Sequence, residues 1–207
     1  MMSMQGQLDH LMWAGAELEA SCALFERKTG VVPQNGGVHP DRGTHNRLVG
    51  LGPGQYFEII APDPAQAIVG TYGEQFVSLT TPRIHTVIFR AANLEDVQAI
   101  YGRAGIASDL VANRRTTSDG KTLRWRLLVP RTGQPGVFAP PFIDWLDTPH
   151  PSLSLSSECA LVTVEIAQLD PDQAAAVWRE LGIDLTPVRG PFSIKATLAT
   201  PKGEVTF

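Results

Sequence analysis

Short apolar runs with a two-residue beat alternate along this chain with stretches whose apolar residues recur three and four positions apart. The first pattern predicts strands and the second helices. Leu8-Asp9-His10-Leu11-Met12-Trp13-Ala14 reads as an opening strand. Leu18, Cys22 and Phe25 then mark a helix that Gly30 stops. Val31-Val32-Pro33 is read as a weak strand and Asn35-Gly36-Gly37 as an irregular Gly-rich stretch. Residues 44–51 and 55–60 form a hairpin around Gly52-Pro53-Gly54.

The same order returns twice. Ile84 to Phe89 is a β-branched strand, and Leu94, Val97, Ile100 and Tyr101 stripe a helix that closes near Gly105. Three strands are predicted at 109–117, 122–129 and 141–146, with Ser118-Asp119-Gly120 turning between the first two. A shorter third unit runs through a strand at 159–167, a helix from Pro171 to Gly182, and strands at 185–188, 193–199 and 204–207. The three helix exits share one punctuation: Lys28-Thr29-Gly30-Val31, Arg103-Ala104-Gly105-Ile106 and Glu180-Leu181-Gly182-Ile183. Repetition of this kind defines the organisation. The expected class is α+β: βαβββ modules at 8–61, 84–147 and 159–207 within one compact domain, forming a curved mixed β-sheet cleft with helices on the outer face. The Pro-rich links at 61–64 and 148–151 read as exposed connections. Three modules suit a paired cup awkwardly, which leaves the third to pack as a lid or flank or to support a homodimer.

Composition narrows the function classes. The 207 residues are 43% hydrophobic and 18% charged, with a net charge of −4, and no basic stripe offers itself to nucleic acid. No run approaches the roughly 18 apolar residues of a membrane span, and the start lacks a leader pattern, so a cytoplasmic location off the membrane is expected. Cys22 and Cys159 form no CxxC pair and read as buried structural thiols. The Gly50–Gly54 stretch is not followed by a helix, which argues against a nucleotide cofactor, and no G-x-S-x-G elbow is present.

The strand beat places His10 with Leu8 and Met12, Glu58 with Tyr56 and Ile60, His85 with Val87 and Phe89, and Asp144 with Phe142 and Leu146. Two units thus each carry a histidine in the first strand and a carboxylate in the last. Two imidazoles and two carboxylates suit a divalent Zn, Ni, Mn or Fe ion with positions left for substrate. Without a metal, the same groups would form a hydrogen-bonded acid/base cluster. Glu58 in so apolar a strand requires a partner, whether cation or donor. Thr44 and Asn46 share one strand face and His45 and Arg47 the other. Arg114, Arg115, Arg124 and Arg126 surround Trp125, and such a group suits a carboxylate or phosphate or, alternatively, a solvated face paired with surface acids. His45, Asn46, Arg124, Trp125 and Arg126 are the substrate-binding candidates. Trp13 and Trp145 read as core, and His150 as loop.

Several motifs in order carry a family resemblance: Leu8-Asp9-His10-Leu11, Gly43-Thr44-His45-Asn46, residues 56–64 from Tyr56-Phe57-Glu58, residues 119–127, and Phe142-Ile143-Asp144-Trp145. The chain resembles the vicinal oxygen chelate superfamily, and within it the glyoxalase-like group. The resemblance implies metal ligands at His10, Glu58, His85 and Asp144, with Glu58 and Asp144 available as catalytic carboxylates. Asp144 stands where such proteins more often carry glutamate, and Val162 stands where the third unit would repeat His85. The implied activity is a metal-dependent lyase, isomerase or dioxygenase acting on a small oxygenated molecule. The alternative is a non-catalytic small-molecule binder of the same fold.

Overall fold

A computed structural model describes residues 6–117, 120–131 and 138–207. The described residues form strands β1 (Gln7–Ala14), β2 (Gln34–His39), β3 (Thr44–Gly50), β4 (Tyr56–Pro62), β5 (Arg83–Arg90), β6 (Ser108–Thr117), β7 (Thr122–Pro130) and β8 (Phe142–Asp144). Helix α1 (Leu18–Thr29) follows β1, and α2 (Leu94–Arg103) follows β5. The eight strands close into a barrel in the order β1-β4-β3-β2-β6-β7-β8-β5. Each four-strand half carries its first strand beside its last: β1 runs parallel to β4, and β5 parallel to β8. Antiparallel pairing joins the halves at β1–β5 and at β2–β6. The protein is therefore α+β, with a curved mixed sheet and its helices outside. An eight-stranded barrel has room inside for side chains and one small ligand.

The remaining strands β9 (Ala160–Gln168), β10 (Val188–Arg189), β11 (Ser193–Thr200) and β12 (Gly203–Thr206), with helix α3 (Pro171–Glu180), make a separate sheet ordered β10-β9-β11-β12. This third unit flanks the outer side of the barrel. Its Phe207 packs on Trp13, Phe25 and Phe57, and its Trp178, Ile194 and Leu198 join the same core as Leu11, Val87 and Phe89. One apolar layer thus runs from the outward faces of β1, β4 and β5 through the helices into the third unit. No helix among the described residues is long and apolar enough to cross a membrane.

Four expectations about local structure need correction or restriction. The strand after α1 is not Val31-Val32-Pro33 but the Gly-rich Gln34–His39, whose register shifts between Asn35 and Gly37. A bulge there absorbs Gly36, and an added Cβ at Gly36 would collide with the Asn46 side chain. The first Pro-rich link is not an exposed connection, because Ala61, Pro62 and Asp63 are buried, and the turn Tyr72–Phe76 beyond it brings Phe76 into the core. Of the turn between β6 and β7, Ser118 and Asp119 lie outside the described residues. Trp145 is buried, yet it lines the barrel's interior hollow rather than the helix-side core.

All three helix exits place their glycine in the left-handed region, with φ of 81° at Gly30, 73° at Gly105 and 67° at Gly182. The Gly30 amide closes α1 on the Glu26 carbonyl. A Cβ in that region strains the backbone without removing any packing, and only glycine escapes the penalty. Gly30→Ala, Gly105→Ala and Gly182→Ala are each expected to cost about 1 kcal/mol, nearly additively. Urea denaturation checks this, and unchanged midpoints would contradict it.

Candidate functional site

The barrel interior holds a cavity of about 240 Å³. Strand parity decides what reaches it. On β1 the inward positions are His10 and Met12; on β4, Tyr56, Glu58 and Ile60; on β3, Thr44 and Asn46. On β6, Asp109, Val111, Asn113 and Arg115 point in, and on β7, Trp125, Leu127 and Val129.

Glu58 is 4% exposed and held by a neighbour rather than left alone. Asn46 Nδ2 donates to its Oε1 at 2.6 Å, while Asn46 Oδ1 accepts from the Gly37 amide at 2.9 Å. Two imidazoles face the same carboxylate: His10 Nε2 lies 3.7 Å from Oε2, and His39 Nε2 lies 3.9 Å from Oε1. Both separations exceed hydrogen-bond length, so neither imidazole is committed to Glu58 by a hydrogen bond. His39 ends the Gly-rich strand and lines the hollow, whereas its place in the sequence beside His45, Asn46 and Arg47 reads as loop backbone.

His10 is oriented from behind. Its Nδ1 lies 2.7 Å from Asp9 Oδ1, and its ring stacks on Tyr56 at 4.4 Å. Asp9 is fully buried, and its Oδ2 accepts from Arg90 Nη1 at 3.0 Å, Trp145 Nε1 at 3.1 Å and His150 Nε2 at 3.2 Å. Burial pushes the Asp9 carboxyl upward, but the hydrogen bonds from His10 and His150 outweigh it and hold the group well below its ordinary value. An ionised Asp9 accepts from Nδ1–H, so His10 presents Nε2 to the hollow. His150 is thus a loop residue bound into the Asp9 network. Burial, with the Glu58 charge added, raises the Tyr72 and Tyr56 phenols and keeps both as neutral hydroxyls.

The four anticipated ligands do not converge. Two register shifts along β1–β5 leave Asp9 and His85 as the extra residues of bulges: Leu8 pairs Phe89 and His10 pairs Ile88, then Met12 pairs Thr86 and Trp13 pairs Ile84. His85 packs edge-on against Phe76 and Tyr72 at 5.0 and 6.1 Å, and Thr86 and Ile88 take the inward places. Val87 and Phe89, expected beside His85, face the helix-side core. On β8 the apolar Phe142 packs on Phe89 and Tyr101, which turns Asp144 to the helix side with it. There Asp144 accepts from Arg126 Nη2 at 2.8 Å, and Arg126 also reaches Glu95 on α2. Ile143 and Trp145 face the hollow instead. His45 and Arg47 point away from it, and Arg47 pairs with Glu19. Arg124 is exposed, with its amide donating to Thr148 Oγ1. Of the five substrate-binding candidates, Asn46 and Trp125 line the cavity, whereas His45, Arg124 and Arg126 do not.

A divalent ion fits these donors poorly. His10, His39 and Glu58 remain available, but Thr86, Ile143 and Trp145 stand where the second pair was anticipated. Among the described residues no group of three or more His, Cys, Asp or Glu side chains is arranged to hold a metal. Cys22 and Cys159 are free and buried, and burial pushes both thiols up to about 11.

The sequence model of the glyoxalase-like domain matches residues 8–182. No curated protein matches the chain. Among solved structures, a hypothetical protein from Staphylococcus aureus is 16% identical with a TM-score of 0.66, covering 98% of this chain and 84% of its own. Methylmalonyl-CoA epimerase from Mycobacterium tuberculosis is 17% identical with a TM-score of 0.43, covering 59% and 77%. A methylmalonyl-CoA epimerase in complex with methylmalonyl-CoA and NH4+ is 14% identical with a TM-score of 0.47, covering 71% and 99%.

Burial pushes the His39 imidazole from 6.5 down to about 4; the Glu58 charge pulls it back, and Arg115, Arg42 and His10 add to the fall. A histidine buried neutral stabilises fully above its unfolded value, and that contribution is lost as acid protonates the unfolded chain first. Stability is therefore expected to fall between about pH 6.5 and 4, with His85, also lowered by burial, acting in the same direction. His39→Gln should show a shallower loss in urea melts across that window; identical slopes would contradict the assignment.

Proposed function

The chain belongs to the glyoxalase-like domain family, and from that premise we propose that its hollow binds one small oxygenated molecule and moves a proton on it, with Glu58 and His10 as the acid–base pair. The observation that carries this reading is the 3.7 Å approach of two buried proton carriers whose other atoms are already held, His10 by Asp9 and Glu58 by Asn46. Fixed dipoles and charges in a water-poor site act strongly on developing charge and need little reorganisation. Geometry of this kind is what general acid–base catalysis requires.

In the proposed step, the Glu58 carboxylate takes the proton from a carbon next to a carbonyl group. The C–H electron pair becomes a carbon–carbon double bond, and the carbonyl electrons move to its oxygen as an enolate. Return of the proton to that same carbon reforms the carbonyl group and restores the carboxylate, and its arrival on the opposite face gives the epimer. His10 Nε2, bearing its lone pair when Nδ1 holds the proton, can accept or return a proton beside Glu58. His39 is neutral near pH 7 and adds no positive charge to the pair. No step passes through a metal, because the second-half donors are turned away.

Two experiments test the reading. Nuclear magnetic resonance in D2O, with a panel of 2-oxo acids and their amides, should show exchange of the hydrogens beside the carbonyl. Glu58→Gln should slow it by about 100-fold or more while the circular dichroism spectrum and the melting midpoint hold. Ligands that stabilise the protein thermally without any exchange would make the hollow a binding site only and overturn the proposal. Separately, incubation with Zn, Ni, Mn or Fe followed by desalting should leave far less than one ion per chain. Stoichiometric metal that disappears in His10→Ala would restore the metal-dependent reading.

A further inference from the structure

One cation in the hollow is unaccounted for by the proton-transfer pair. Arg115 lies inward on β6, is 5% exposed and lines the cavity. Its Nη1 donates a long hydrogen bond, 3.4 Å, to Asn46 Oδ1, and its shielded Nε has no partner among the described residues. It makes no ion pair among the described residues, in contrast to its neighbour Arg114, which parity turns outward onto Asp41 at 3.0 Å. Arginine is rarely buried unless paired, because an uncompensated charge loses its hydration. Asn46 bridges the two charges, donating to Glu58 and accepting from Arg115, so the carboxylate makes no direct ion pair with the guanidinium. A second guanidinium, Arg42, also lines the hollow, with Nε and Nη2 both donating to Asn113 Oδ1 at 2.9 and 2.7 Å.

A planar guanidinium fork matches a carboxylate. Trp125, Leu127, Ile143 and Trp145 give another part of the wall an aromatic and aliphatic face. Arg42 and Arg115 set against Glu58 leave one surplus positive charge on this part of the wall, which one carboxylate balances and a dianionic phosphate exceeds. We propose that the ligand class is a compact monocarboxylate with an apolar or aromatic body, its carboxylate on Arg115 and its body against Trp125 and Trp145. This inference rests on the reading that the hollow takes a small molecule, and it names which one by chemistry.

The test uses matched probes: benzoate, phenylacetate and cyclohexanecarboxylate against benzamide, phenylacetamide and cyclohexanecarboxamide, with inorganic phosphate alongside. Calorimetry at fixed ionic strength should show at least one carboxylate binding about ten-fold or more tighter than its amide, and tighter than phosphate. Arg115→Gln should abolish that preference and leave amide affinity nearly unchanged, and Arg115→Lys, which keeps charge but not the fork, should retain only part. Equal binding of acid and amide, no carboxylate binding, tighter phosphate, or a preference that survives Arg115→Gln would each overturn the proposal. The wild-type comparison stands even if the variants fail to fold. Carboxylate preference without proton exchange would remove the acid–base reading and leave this one; exchange without preference would do the reverse.

Discussion

A carboxylate with no solvent contact, Asp9, is the constraint on which the site depends. Desolvating such a charge is prohibitive unless its lone pairs are filled. Four donors fill them: His10 beside it on β1, Arg90 at the end of β5, and Trp145 and His150 from the chain after β8. One side chain therefore ties the opening strand of the first half to the last segment of the second. The same bonds set the direction in which His10 faces. Asp9 is the extra residue of a bulge, and His10, the next residue, reaches the hollow.

From His10 the polar chain continues across the hollow through Glu58 to Asn46 and on to Arg115. Each link restrains the next. Asn46 has no freedom to flip without losing either the Glu58 bond or the Gly37 amide, and Gly36 must lack a side chain for that amide to fit. The opposite faces of these strands are apolar and pack on α1, α2 and the third unit. Among the described residues the third unit contributes none to the lining of the hollow and packs on the outer apolar layer.

Much of this was legible in the residues. Helix exits at Gly30, Gly105 and Gly182 and the first and last strands of both halves follow from periodicity and turn chemistry, whereas bringing His10 and Glu58 together is what the family resemblance implies. Asn46 sharing a face with Thr44 follows from the same beat. What escaped has physical causes. A two-residue beat cannot register a bulge, so Asp9 was overlooked and His85 was placed with Val87 and Phe89. Parity alone does not say which face of a strand is concave, and Phe142 settles it for β8 by packing on the helix side, carrying Asp144 with it. His39 and Tyr72 reach the hollow from a Gly-rich strand and an irregular turn that have no apolar rhythm. Arg115 was visible among its neighbours, but its burial depends on pairing between β2 and β6, which is non-local.

The central claim is that Asp9 fixes which nitrogen of His10 carries the proton. Nitrogen-15 resonances of the His10 ring report this directly in the intact protein at neutral pH. The account requires a protonated Nδ1, with the assignment changing in Asp9→Asn; a bare Nδ1 with the proton on Nε2 would contradict it.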